Sequence, residues 1–258
     1  MAEWIELQEE VDELFERADR LREKAIDRIL DEADVVCSTN STAGSDLLAD
    51  RSFDVVLVDE ATQATEPSCL VPLTLADRAI LAGDHRQLPP TVLSLEAAER
   101  GLDRSLFERM AEGHDEVLDM LTMQYRMHEK IMAFSSERFY GGRLRASEEV
   151  WDHTLRDLGF DDARVEGRLR RITLPEDPVV FVDTSQGEGG ERQRGDSSSR
   201  ENPEEAELVA RLAQSFRWGG VPDHAIGVIS PYADQVDLVR RGLEDAEDLE
   251  VHTVDGFQ

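Results

Sequence analysis

The chain has 258 residues, enough for one large core or two small ones, and its 57 acidic against 28 basic side chains give a formal net charge of −29. No apolar run reaches the length of a membrane span, and the opening "MAEWIELQEE" is acidic where an export leader is basic and then apolar, so neither a span nor a leader is expected. A field of this sign repels nucleic acid at low ionic strength, which excludes binding through a broad basic surface. Only Lys24 and Lys130 are lysines; every other base is an arginine. The acids run along the whole chain instead of forming a tail. That is the pattern of a halophile's cytoplasmic protein, working where salt shrinks the Debye length to about 3 Å or less. Any nucleic-acid contact must then come from hydroxyls, backbone amides, single arginines and stacking. The two cysteines, Cys37 and Cys69, lie in apolar stretches and read as reduced core residues.

In chain order, Trp4, Leu7, Val11, Leu14, Ala18, Leu21 and Ala25 alternate spacings of three and four, predicting a helix over 3–33. Its apolar stripe is expected to pack along its own domain, with a coiled-coil partner as the alternative. "VVCST" (35–39) and "SFDVVLVDE" read as buried strands, "EPSCLVPLTLA" as a helix and "RAILAGD" as a third strand. Continuous apolar strands around a helix predict an α/β fold with a parallel sheet covered on both faces. A second α/β unit is expected from about residue 116, dividing the chain into 1–115 and 116–258. Its predicted strands are 179–183, 225–230 and 250–255, and its predicted helices 129–138, 203–217 and 231–245. In "NPEE" Asn202 is an N-cap, Pro203 the first helical residue and Glu205 a capping-box acid. The Gly- and Ser-rich stretch 185–200 is expected to be a mobile loop.

Ligands of parallel sheets sit beyond the carboxyl ends of the strands, where both Asp59-Glu60 and Gly83-Asp84 fall. An apolar strand ending in two acids is a signal for nucleotide hydrolysis: the first holds Mg²⁺ and the second polarises an attacking water. In "GDHRQLPP", Gln87 supplies a neutral amide able to hydrogen-bond a γ-phosphate, on a loop stiffened by two prolines. His85 and His128 share no metal-ligand spacing with a cysteine and are expected to bond locally.

"VDEATQATEP", "LAGDHRQLPP", "LTMQYRMH", "VISPYADQ" and "HTVDGFQ" occur in order and resemble motifs II to V of superfamily 1B helicases, the branch containing the nonsense-mediated-decay and immunoglobulin Mu-binding helicases. "ADVVCSTNSTAGSDLL" resembles that family's nucleic-acid-gripping segment, and the likeness covers about residues 20–258. The resemblance implies two RecA-like parallel-sheet lobes, ATP and Mg²⁺ as ligands, and single-stranded DNA or RNA as partner, with 5′-to-3′ movement. It implies Asp59 as metal ligand, Glu60 as water activator, Gln87 as γ-phosphate sensor, Arg126 as an arginine finger from the second lobe and Tyr125 stacked on adenine. Ser38, Thr39 and Gly44 would grip the nucleic-acid backbone from the first lobe, and Ser230, Pro231, Tyr232 and Thr253 from the second. Thr42 departs from the pattern, standing where many relatives carry glycine.

The family's phosphate loop, Gly-x-x-x-x-Gly-Lys-Thr/Ser, is absent: neither Lys24 nor Lys130 has the glycines or the following hydroxyl. The expectation is therefore an internal part of a larger helicase, catalytically incompetent as this polypeptide and completed by a polypeptide carrying the missing segment. The alternative is a non-catalytic remnant that binds nucleic acid or protein.

Overall fold

The computed structural model describes the chain apart from Met1, Glu166, Glu188, Asp196, Glu244, Glu247 and Gln258, and apart from the side chains of Ala2, Glu3, Ile5, Glu6, Glu9 and Asp115. It divides into two compact units, Met1–Asp119 and Met120–Gln258.

The first unit opens with helix α1 (Ala2–Glu32). Its C-terminal end is tied down where Arg51 pairs with both Asp27 and Asp31. The apolar stripe does not pack along the unit as expected. Trp4, Leu7, Val11, Leu14, Leu21 and Ile29 are all exposed. The period of a stripe specifies a face, but another surface must be present to cover it.

The expected strand 35–39 forms no ladder, with Val35 and Cys37 exposed; of the two cysteines only Cys69 is buried. It leads into the short helix α2 (Asn40–Ala43), capped by Thr39, whose Oγ1 accepts from Thr42 N–H at 3.2 Å. Strand β1 (Val56–Val58), helix α3 (Glu66–Leu73) and strand β2 (Ala79–Leu81) follow, with β1 and β2 parallel and Leu57 opposite Ile80. A bridge from Phe53 to Ala76 extends the pairing backward. Helices α4 (Leu95–Glu99) and α5 (Leu106–Ala111) complete the unit, each capped by a serine hydroxyl.

Val58, Ala61 and Cys69 bury themselves with Leu106, supported by Val56, Leu73, Leu81 and Phe107. The opposite face of the ladder is open, with Leu57 61% and Ile80 54% exposed. The expectation of a sheet covered on both faces is thus corrected: alternate residues of these strands point to opposite faces, and α3 and α5 supply cover for one of them.

The second unit holds two further parallel pairs. Strand β3 (Met123–Gln124) pairs with β4 (Arg145–Ala146), with helix α6 (Glu129–Phe139) between them in sequence. After helix α7 (Pro203–Gly219), strand β5 (Gly227–Ser230) pairs with β6 (Glu250–Thr253), with helix α8 (Ala233–Arg241) between them. The core lies where α7 and α8 meet β5 and β6, around Ala206, Ala210, Ala213, Val236, Val239 and Val251. Phe160 sits so close to the end of α7 that a side chain at Gly219 would strike its ring.

Two expectations for this unit are corrected. Residues 179–183 form no strand, and Phe181 is 89% exposed. Alternation and apolarity cannot supply the neighbour a ladder requires. The predicted helix 231–245 stops at Arg241 because Leu243, Ala246 and Leu249 turn back into the core. Toward the end of the expected 185–200 loop, Arg192 and Glu201 exchange backbone hydrogen bonds, and Glu201 also accepts from the side chains of Arg192 and Arg194.

Asn202 does cap α7, its Oδ1 accepting from Glu204 and Glu205 N–H. The capping box does not form. Glu205 accepts from Thr184 Oγ1 instead, and Gln235 of α8 takes its place, accepting from Asn202 N–H at 2.7 Å and donating to Asn202 O at 3.2 Å.

Gly44 shows how closely the first unit is packed. A Cβ there would sit 2.7 Å from Val71 Cγ1 on α3. Gly44→Ala is expected to destabilise by about 1–3 kcal/mol through overpacking, read as a lowered urea midpoint at unchanged slope.

Candidate functional site

Chemistry in the first unit gathers where the loops after β1 and β2 emerge side by side. Ala82 N–H donates to Val58 O at 2.9 Å and Ala61 N–H to Ala82 O at 2.8 Å, so the pairing continues beyond the strands into both loops. Thr62, almost wholly buried, closes the arrangement: its Oγ1 accepts from Asp84 N–H at 3.3 Å. Gly83 suits this close approach, since a Cβ there would sit a tight 3.1 Å from the Thr62 backbone nitrogen.

These contacts bring Asp59, Glu60, Asp84 and Gln87 to one end of the ladder. Asp59 is exposed directly after β1, and its Oδ1 accepts from Glu60 N–H at 3.1 Å. Glu60 is the one non-glycine among the described residues with positive φ, at 49°. A left-handed residue with a full side chain costs on the order of 1–3 kcal/mol and tends to occur where function holds it. Gln63 holds Glu60 twice, its backbone N–H on Glu60 O at 2.9 Å and its Nε2 on Glu60 Oε2 at 3.2 Å. Gln87 donates Nε2 to Asp84 Oδ2 at 2.8 Å. His85 stacks on Phe107 at 6.1 Å between ring centroids.

Among the described residues no group of three or more His, Cys, Asp or Glu forms a metal cage. A hard cation that keeps several waters and binds through one or two carboxylates plus substrate phosphates needs no cage. The exposed Asp59 carboxylate, with Oδ1 already oriented by Glu60 N–H, fits such a role.

Ser38, Thr39 and Gly44 lie apart from these acids along the chain, around α2. Ser38 Oγ donates to Thr39 O at 3.2 Å, and Thr39 Oγ1 lies 3.0 Å from Thr42 Oγ1. Thr42 is helical, so a side chain at this position carries no backbone strain.

In the second unit the turn after β3 presents Tyr125 and Arg126, both exposed. Gln124 builds it: Oε1 accepts from Arg126 N–H at 2.8 Å and Met127 N–H at 2.9 Å, while Nε2 donates to Met127 O at 2.7 Å. His128, buried, caps α6 by accepting from Lys130 N–H. Ser230 ends β5 and Pro231 and Tyr232 follow it, with Ser230 Oγ accepting from Tyr232 N–H at 3.2 Å. Thr253 ends β6 directly opposite Ser230. A cavity of about 260 Å³ adjoins this loop, lined by Ser230, Pro231, Tyr232, Asn202, Arg200 and Glu191 among others.

Thr62, Gln63, Gln124 and Gln235 were not singled out in the sequence. Gln63 and Gln124 had a local signal, since an amide three residues from Glu60 or Met127 is within reach of it across a turn. Thr62 and Gln235 act across 22 and 33 residues and had none.

Parallel strands joined through helices, with two loaded loops together at one carboxyl end, have the architecture of a RecA-like lobe. Residues 1–95 and 102–258 match two family models, each described as an AAA domain. An ATP-dependent helicase of Methanocaldococcus jannaschii, called uncharacterised, is 42% identical over 259 residues, covering 100% of this chain and 37% of the relative. The mouse DNA-binding protein SMUBP-2 is 46% identical over 243 residues, covering 92% of this chain and 24% of the relative. A Neurospora crassa homologue of regulator of nonsense transcripts 1 is 34% identical over 251 residues, covering 94% and 22%. The chain belongs to the AAA-domain helicases of superfamily 1B, and spans well under half the length of these curated relatives.

Glu201 gives the site neighbourhood a pH dependence. Donation from Arg194, and then from Arg192, holds its carboxyl below the ordinary 4.5. A carboxyl depressed in the folded state adds stability that is complete above 4.5 and is lost as pH falls through the lowered value. Urea denaturation across pH should therefore show wild type losing stability below pH 4.5 more steeply than Glu201→Gln, with the variant less stable at neutral pH.

Proposed function

We propose that the chain is the central part of an ATP-dependent helicase that moves 5′ to 3′ on single-stranded DNA or RNA. The observation that carries this reading is the left-handed Glu60 beside Asp59, at the end of a strand whose loop is hydrogen-bonded to the loop bearing Asp84 and Gln87. Asp59 would hold Mg²⁺ with substrate phosphates, and the metal would supply charge neutralisation on them. Glu60 orients the attacking water and accepts its proton; Gln63 fixes the carboxylate that does so. Gln87 donates to the γ-phosphate in exchange for Asp84. Arg126, whose guanidinium makes no hydrogen bond or ion pair among the described residues, is the finger that stabilises charge on the transferred group. Tyr125 offers an open face to adenine.

On the nucleic-acid side, Ser38, Thr39 and Gly44 in one lobe and Ser230, Pro231, Tyr232 and Thr253 in the other form a grip of hydroxyls, amides and one aromatic ring, without base reading. Such a grip suits a net charge of −29, because it needs no basic field. A cytoplasmic, halophilic setting belongs to the same proposal, as does a polypeptide segment supplying the phosphate loop. No helix among the described residues is long and apolar enough to cross a membrane.

Two measurements test this. As an isolated polypeptide the 258 residues should release no phosphate from ATP, with or without oligothymidylate, in dilute or molar KCl; Glu60-dependent turnover would contradict the assignment of a missing phosphate loop. A chimera in which these residues replace the matching stretch of the archaeal relative should show single-strand-stimulated hydrolysis. Glu60→Gln or Arg126→Ala in that chimera should cut kcat by about 10²-fold or more. A chimera that hydrolyses ATP equally well with both substitutions would sink the reading.

A further inference from the structure

Arg200 and Glu191 are absorbed by none of the roles above, yet both line the cavity beside Ser230, Pro231 and Tyr232. Arg200 is held there by its neighbours on either side. Ser199 Oγ accepts from Asp234 N–H at 3.1 Å, and Asn202 is clamped through both backbone groups by Gln235. The segment carrying Arg200 is thus fastened at two points to the first turn of α8, the turn that directly follows Tyr232. Because the fastening runs through backbone and buried amide, the guanidinium is presented to the loop from a fixed base. Among the described residues its ion-pair partner is Glu191, with Nη1 2.6 Å from Oε2, and both side chains are about half exposed, at 53%. That hydrogen bond, and then the charge of the Glu191 carboxylate, raise the Arg200 pKa.

An exposed ion pair of this kind contributes little to stability. A guanidinium, by contrast, forks onto phosphate as readily as onto carboxylate. Glu191 and a phosphodiester therefore compete for the same donors. Resting on the proposed nucleic-acid grip of the second unit, we propose that Arg200 is a further phosphate-binding residue of that grip and that Glu191 is a carboxylate latch that a strand phosphate displaces. The latch suits a strongly acidic chain: the arginine stays neutralised until a polyanion arrives at Tyr232.

The test uses the full chain and a fluorescein-labelled oligothymidylate of about 15 nucleotides, with Kd measured by anisotropy across a KCl series. Wild type should bind. Arg200→Gln should bind about three- to tenfold more weakly, with the slope of log K against log salt reduced by about 0.7, the value for one single-strand phosphate contact. Glu191→Gln should bind more tightly than wild type, and the double variant should match Arg200→Gln. Thermal unfolding of each variant verifies that both stay folded. If wild type binds and neither substitution changes affinity or slope, the latch is wrong while the grip stands. If both substitutions weaken binding alike, the pair is merely structural and the proposal fails. If wild type shows no binding at any salt concentration in the series, the grip itself is wrong, and the latch with it.

Discussion

The first unit rests on one constraint, the parallel pairing of β1 with β2 and its continuation past the strand ends. Parallel strands point their carboxyl ends the same way, so two chemically loaded loops far apart in sequence are delivered to one place. The hydrogen bonds Ala82 N–H to Val58 O and Ala61 N–H to Ala82 O then set the loops side by side to within a residue. Thr62 locks them, reaching Asp84 N–H across the gap, and the absence of a side chain at Gly83 permits the approach. With the loops so fixed, Glu60 is driven into a left-handed conformation that Gln63 and Asp59 help to hold. The local strain and the clustering of the acids have the same origin.

The second unit meets a similar need differently. Its loop after β5 is held through the Gln235 amide, which joins the start of α7 to the start of α8. A side-chain amide carries a donor end and an acceptor end, so Gln235 can bond both backbone groups of Asn202, whose N–H lies outside the helical ladder. Gln124 does the same for the turn bearing Arg126. Amides suit an acidic chain for this purpose, since they fix backbone without adding charge and without drawing arginines away from phosphate.

The arginines themselves fall into two kinds. Arg51, Arg192 and Arg194 are committed to carboxylates: the first to Asp27 and Asp31 at the end of α1, the others to Glu201 just before α7. Arg126 is uncommitted among the described residues, and Arg200 pairs with the half-exposed Glu191 at the edge of a cavity. Lysine would serve poorly in such a chain, because its compact, strongly hydrated ammonium lacks the planar fork that fits carboxylate or phosphate in two directions.

What the sequence determined by itself is the chemistry and its order along the chain: the strand-end acids, the Gln87 loop, the Arg126 turn, the Asn202 cap and the long helix. Each depends on residues within a few positions of one another, where spacing dictates geometry. Tertiary structure decided what depends on a neighbour. It left the stripe of α1 bare, kept 35–39 and 179–183 out of any ladder, covered one face of β1 and β2 and exposed the other, and gave the capping of α7 to Gln235 instead of Glu205. A periodic pattern encodes which side of an element is apolar, but burial and pairing are properties of two surfaces. The second surface comes from residues tens of positions away, beyond anything a local pattern can specify.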